Sequence, residues 1–168
     1  MNKKALVVID IQNDITKHYR DIIDNINTAI DWAVEQGMTV IYIKHNNLSP
    51  GTRTFKPDTK GAELAPELKV VSDHIFVKTK ANTLTNRDFS EYIRENGIDE
   101  FFITGADATA CVKSTCLDHE RKAGVRYEAG TCCRYHPGCY RIKPGGSAAG
   151  KMVGSYGKME NERRQPAF

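Results

Sequence analysis

The sequence predicts a three-layer α/β/α domain built on a mainly parallel, doubly wound sheet, with an atypical C-terminal segment. Three observations carry that reading. Four short apolar runs recur along the chain, helical stripes alternate with them, and a chemically capable residue stands at or just past the end of each run. Runs with no polar alternation suit strands covered on both faces, as in parallel sheets whose crossover helices pack on either side. Strand order stays open at this level.

Length and composition agree with a single domain. A chain of 168 residues can bury a core without metal or disulfide staples, and 40% hydrophobic with 27% charged residues is ordinary for a soluble protein. The opening apolar run is too short for a signal peptide and has no small-residue cleavage site behind it. No apolar stretch approaches membrane-spanning length. The expectation is a cytoplasmic protein with no membrane partner, whose five cysteines are thiols. Residues 128–168 hold seven Lys/Arg against three Glu, whereas the remainder holds seventeen against eighteen Asp/Glu. The basic excess is small and no RNA-module signature accompanies it, so no nucleic-acid partner is expected.

In chain order, Lys4–Ile9 reads as the first buried strand and ends at Asp10. Asp21 to Gln36 carries Ile22, Ile23, Ile26, Ala29, Ile30, Ala33 and Val34 at helical spacing, with Gly37 as the stop. Met38–Ile43 is the second strand, ending at Lys44-His45. Residues 46–72 contain Pro50, Pro57 and Pro66 and predict a long functional loop over the strand ends, with a short helical turn at Ala65–Leu68. His74–Val77 predicts a third strand leading into Lys78. A helix opens at Asn86 or Asp88 and stops at Gly97; Glu100–Thr104 is the fourth strand, and Cys111–Arg121 the helix after it.

Asp10, His45, Lys78 and Cys111 therefore gather at the carboxyl ends of predicted parallel strands, where open α/β sheets hold their ligands. Cys111 is placed in the first turn of a helix, whose unpaired N–H groups and macrodipole favour a thiolate there and an oxyanion beside it. The plainer reading of Cys111 is a small apolar residue at a helix–sheet joint.

The stretches Ala5–Asn13 (ALVVIDIQN), Val77-Lys78 and Thr104–Thr115 (TGADATACVKST) resemble, in that order, the isochorismatase-like cysteine hydrolases, a family that includes nicotinamidases and N-carbamoylsarcosine amidohydrolases. The resemblance implies a catalytic triad of Asp10, Lys78 and Cys111. It implies a cis peptide between Ala106 and Asp107, whose N–H joins that of Cys111 in an oxyanion hole. It also implies an oligomeric enzyme that hydrolyses a C–N bond of a small amide or ureide through a cysteine thioester, with Gln12 and His45 lining the substrate pocket. No cofactor and no metal are expected, because His45 is followed by two asparagines in place of an Asp-x-His element.

The chain also departs from the family pattern. Thr79-Lys80-Ala81-Asn82 follows Lys78, which leaves Lys80 as an alternative motif lysine. Beyond Val125 the expected strand and final helix give way to a glycine-rich run, seven of the thirteen glycines falling between residues 130 and 157. Residues 1–168 are thus expected to form one domain with 130–168 as an irregular or detached basic tail. Cys132, Cys133, His136 and Cys139 have zinc-suited side chains but lack paired two-residue knuckles, so they are expected to be ordinary thiols and an ordinary imidazole. Two other functions compete with hydrolysis: a non-catalytic binding or scaffold protein, and a thiol redox protein using Cys111 and Cys116. A five-residue helical offset turns the latter pair of side chains apart.

Overall fold

A computed structural model describes residues 3–17, 20–116, 127–131 and 140–144. Its order is β1 (Lys3–Ile9), α1 (Asn13–Thr16), α2 (Asp21–Glu35), β2 (Thr39–His45), β3 (Ile75–Lys78), α3 (Arg87–Glu95), β4 (Ile98–Gly105), β5 (Tyr127–Thr131) and β6 (Tyr140–Pro144). The sheet runs β3-β2-β1-β4-β6-β5, with β3, β2, β1 and β4 mutually parallel and β6 and β5 antiparallel. The mainly parallel α/β architecture is therefore as the sequence predicts.

The apolar runs become central strands because they are buried from both sides. Along β1, Leu6 and Val8 face a cluster with Ile23, Ile26 and Ile30 of α2, together with Tyr42 and Phe102. Ala5, Val7 and Ile9 face the opposite cluster, which holds Phe89 of α3, Ile41, Ile103 and Val112. The α2 stripe ends where Gly37, at φ 67°, closes the helix. Met38 N–H returns to Ala33 O (2.9 Å) and Gly37 N–H to Val34 O (3.0 Å), the paired bonds of a Schellman motif. At α3 the Asn86 side chain caps the helix by accepting from Phe89 N–H.

This strand order sets a switch point between β1 and β4. From β1 the chain moves outward to β2 and β3, then returns across β1 to β4, so the sheet reverses its direction of growth between β1 and β4, the switch point where open sheets bind ligands. Gly105 holds their carboxyl ends together. It sits at φ 127°, and a Cβ there would lie 2.1 Å from the backbone oxygen of Ile9, a space no side chain can share. Ala106 N–H then bonds Ile9 O at 2.9 Å.

Loop 46–72 is pinned beside these ends. Asn13 N–H bonds Glu63 O, Ala65 N–H bonds Ile11 O, and Phe55 N–H donates to the Asp14 carboxylate at 2.8 Å. Residues Lys60–Ala62 form a 3-10 turn, and where a short helical turn was expected Leu68 N–H closes a single hydrogen-bonded turn onto Ala65 O at 3.0 Å. The short α1, too brief for a sequence stripe, has no counterpart in the sequence expectation.

Residues 130–131 and 140–144, within the stretch read as an irregular tail, are strand here. The remainder of 130–168, the Cys132, Cys133, His136 and Cys139 group and the last residues of the helix after Cys111 lie outside the described residues. No described helix is long and apolar enough to cross a membrane.

Gly105→Ala is expected to lose about 3 kcal/mol or more in urea unfolding, since both the positive φ and the Ile9 backbone resist a side chain. Gly37→Ala, with open space around its Cβ position, should lose only about 1 kcal/mol.

Candidate functional site

Three strand ends converge on one buried ammonium. Lys78, last residue of β3, has a side chain 0% exposed, and its Nζ lies 2.8 Å from Asp10 Oδ2, 3.3 Å from Cys111 Sγ and 3.0 Å from His45 Nδ1. Period-2 alternation places it: Ile75 and Val77 face out, while Phe76 and Lys78 turn inward. Lys80 lies past the strand and is exposed. Lys78 is thus the lysine that reaches Asp10.

Asp10 follows β1 at φ 57°, where its N–H bonds Ile43 O at 2.9 Å. Its Oδ1 is buried and makes no hydrogen bond. Burial raises the Asp10 pKa above the ordinary carboxylate value, and the Lys78 charge, the Lys78 and Cys111 hydrogen bonds and His45 oppose that rise. The carboxylate of Asp10, the His45 ring and the Cys111 sulfur offer atoms that all lie within 4.8 Å of one another. That trio has the donor types of a metal site, but the Lys78 nitrogen already touches all three.

Cys111 lies in a π-helical turn, Ala108–Val112, which continues into helical residues 113–116. Asp107 organises the turn. Its carboxylate accepts from Thr109 N–H and its carbonyl accepts from Ala110 and Val112 N–H, the last a five-residue reach. The Ala106–Asp107 peptide is cis. Among the described residues, the Asp107 N–H has no acceptor.

The expectation of a thiolate at Cys111 is overturned. Burial, aided by the Asp10 charge and hydrogen bond, pushes its thiol up to about 11, against the lowering pull of Lys78. Burial and the adjacent Asp10 carboxylate both act against ionisation and outweigh the favourable pull of Lys78 and of the helix end. The resting sulfur is therefore a neutral thiol.

Gln12 is corrected as well. It is 0% exposed, and its amide is spent on backbone: Nε2 donates to His45 O (3.0 Å) and Ala62 O (2.7 Å), while Oε1 accepts from His45 N–H (2.7 Å). It clamps the end of β2 to the loop instead of lining a pocket. His45 is half-buried, with the Phe55 ring edge-on at 5.6 Å. Thr83 and Thr115, assigned no role from the sequence, tie the loop after Lys78 to the cysteine turn: Thr115 Oγ1 donates to Cys111 O (2.8 Å) and accepts from Thr83 N–H (3.1 Å). The only sequence signal for Thr115 is its place four residues after Cys111, within the motif run.

The chain is also similar to proteins of a known family. The model of the isochorismatase domain family matches residues 4–124. An uncharacterized isochorismatase family protein of Bacillus subtilis, YrdC, is 28% identical over 120 residues, covering 67% of this chain. The chain spans 64% of that protein's length. Among solved structures, N-carbamoylsarcosine amidase from Thermoplasma acidophilum has TM-score 0.58 at 26% identity, covering 69% of this chain and 75% of that one. Pyrazinamidase of Pyrococcus horikoshii in complex with zinc shares the fold, with TM-score 0.63 at 23% identity over 71% of this chain and 79% of that one.

Lys78→Met strands the buried Asp10 carboxylate and is expected to lose about 3–5 kcal/mol near pH 7.5. Adding Asp10→Asn should recover most of that loss. In Lys78→Met the Asp10 pKa climbs further, because Lys78 was lowering it. The native chain then keeps a proton that the unfolded chain gives up. The stability deficit of Lys78→Met relative to wild type should therefore be smallest below about pH 4 and grow as pH rises through the folded pKa of Asp10 in the variant. Urea midpoints across pH check both statements.

Proposed function

The chain belongs to the isochorismatase family, whose members include amidases, and from that premise we propose that it hydrolyses a C–N bond of a small amide or ureide through a thioester on Cys111. The observation that carries the reading is the single Lys78 ammonium bound at once to Asp10 and Cys111, at the carboxyl ends of β1 and β4.

In this mechanism Asp10 is the base. With the thiol near 11, only about one sulfur in ten thousand ionises unaided at pH 7, so a neighbouring carboxylate must take the proton as attack proceeds. The raised Asp10 pKa makes that carboxylate a stronger base than an exposed one. The sulfur forms a bond to the substrate carbonyl carbon, and the carbonyl electron pair moves onto oxygen. The oxyanion rests on the N–H groups of Asp107 and Cys111, the first of which has no acceptor among the described residues. As the C–N bond breaks, protonated Asp10 gives its proton to the leaving nitrogen, and a thioester remains.

Water then attacks the thioester, losing a proton to Asp10. Collapse of the second oxyanion expels the sulfur, which recovers that proton as the acid product forms. Lys78 holds the carboxylate and the sulfur in one place through both halves. Cys111 and Cys116 form no disulfide.

A panel of small amides and ureides, scored by ammonia release, tests the reading. Wild type should turn over at least one, Cys111→Ser none. Asp10→Asn should lower kcat about 10²–10⁴-fold. The Asn variant should also ionise its thiol at lower pH, because the Asp10 charge helps raise that pKa. A variant with a more acidic thiol and full activity would contradict the role given to Asp10.

A further inference from the structure

We infer that His45 is a positioning residue, not a substrate-binding one: its Nδ1 accepts the third hydrogen of the Lys78 ammonium, so that Asp10, Cys111 and His45 each take one. The inference rests on the reading of Asp10, Lys78 and Cys111 as the reacting group. A lysine ammonium has three donors and no acceptor, and a buried donor left without a partner is destabilising. The distances of 2.8, 3.3 and 3.0 Å to Asp10, Cys111 and His45 supply three partners for those three hydrogens.

The assignment fixes the tautomer. For Nδ1 to accept, it must be bare, which leaves the ring proton on Nε2. The ring is also kept neutral, since burial and the Lys78 charge both oppose a second proton while Asp10 favours it. A charged ring would face the ammonium directly.

The rest of the neighbourhood holds the ring in place. Gln12 grips both backbone groups of His45, its N–H and its C=O, and the Phe55 ring packs against the imidazole edge-on. The fully buried Gln12 thus acts on Lys78 through His45. The trio of Asp10, His45 and Cys111, whose ligand atoms lie within 4.8 Å, becomes the acceptor shell of a cation the chain itself provides.

Long-range ¹H–¹⁵N correlation of ¹⁵N-labelled protein at neutral pH tests the assignment without any substrate. His45 Nδ1 should resonate as a bare nitrogen and Nε2 as a protonated one, and the Nδ1 signal should move in Lys78→Met. A protonated Nδ1 in wild type, or an Nδ1 signal indifferent to Lys78→Met, overturns the inference. If Lys78→Met does not fold, the wild-type tautomer still decides against or for it together with the His45 variants. On whichever substrate the amide panel yields, His45→Leu should lower kcat about 10–100-fold with KM changed less than about twofold. His45→Asn, whose Oδ1 can stand in for Nδ1, should restore most of kcat. A raised KM with kcat intact would overturn the positioning role in favour of substrate contact. If no amide is turned over, the proposed activity fails while the NMR result still judges the inference.

Discussion

The ion pair between Lys78 and Asp10, with side chains 0% and 1% exposed, is the constraint around which this domain is arranged. Two charges removed from water need close geometry and partners for their remaining groups; here Lys78 has three partners, while Asp10 Oδ1 is left without one. That requirement reaches outward through the fold. β1 must deliver Asp10, the edge strand β3 must turn Lys78 inward, β2 must bring His45, and the turn after β4 must present Cys111. Gly105 allows the ends of β1 and β4 to approach, and the Thr83–Thr115 contact fixes the lysine loop against the cysteine turn.

The same pair sets the chemistry of the thiol. Lys78 favours a thiolate and Asp10 disfavours one, and with the sulfur itself partly desolvated the balance leaves a neutral thiol. A permanently ionised cysteine would be a resting nucleophile exposed to any electrophile. In the proposed hydrolysis, nucleophilicity is instead coupled to proton transfer onto a carboxylate that the leaving nitrogen later draws on. One acid–base group thereby serves both halves of the proposed hydrolysis.

Much of this was legible in the sequence for a physical reason: strands buried on both faces leave continuous apolar runs, so Asp10, His45 and Lys78 could be placed at strand ends before any geometry. Strand order was not, because apolar runs do not encode neighbours. Lys78 and Lys80 have the same parity along the chain, and only the end of the β3 ladder at Lys78 separates them. The thiolate expectation treated Cys111 as the opening of an isolated α-helix, whereas burial and the nearby carboxylate outweigh that dipole. The resemblance implied a pocket-lining Gln12; the complete use of its amide by the His45 and Ala62 backbone depends on a contact fifty residues away in the chain. Thr115 sat unassigned within the motif because its hydroxyl partner, Thr83, belongs to a different loop.

The central claim is that Cys111 rests as a neutral thiol and that Asp10 must remove its proton. The most direct measurement is the thiolate absorbance near 240 nm, titrated in wild type and corrected by Cys111→Ser. The account predicts no Cys111 step around neutral pH and a single rise near pH 11. A Cys111 step below about pH 8, under the ordinary thiol value, would contradict it and return the site to a preformed thiolate.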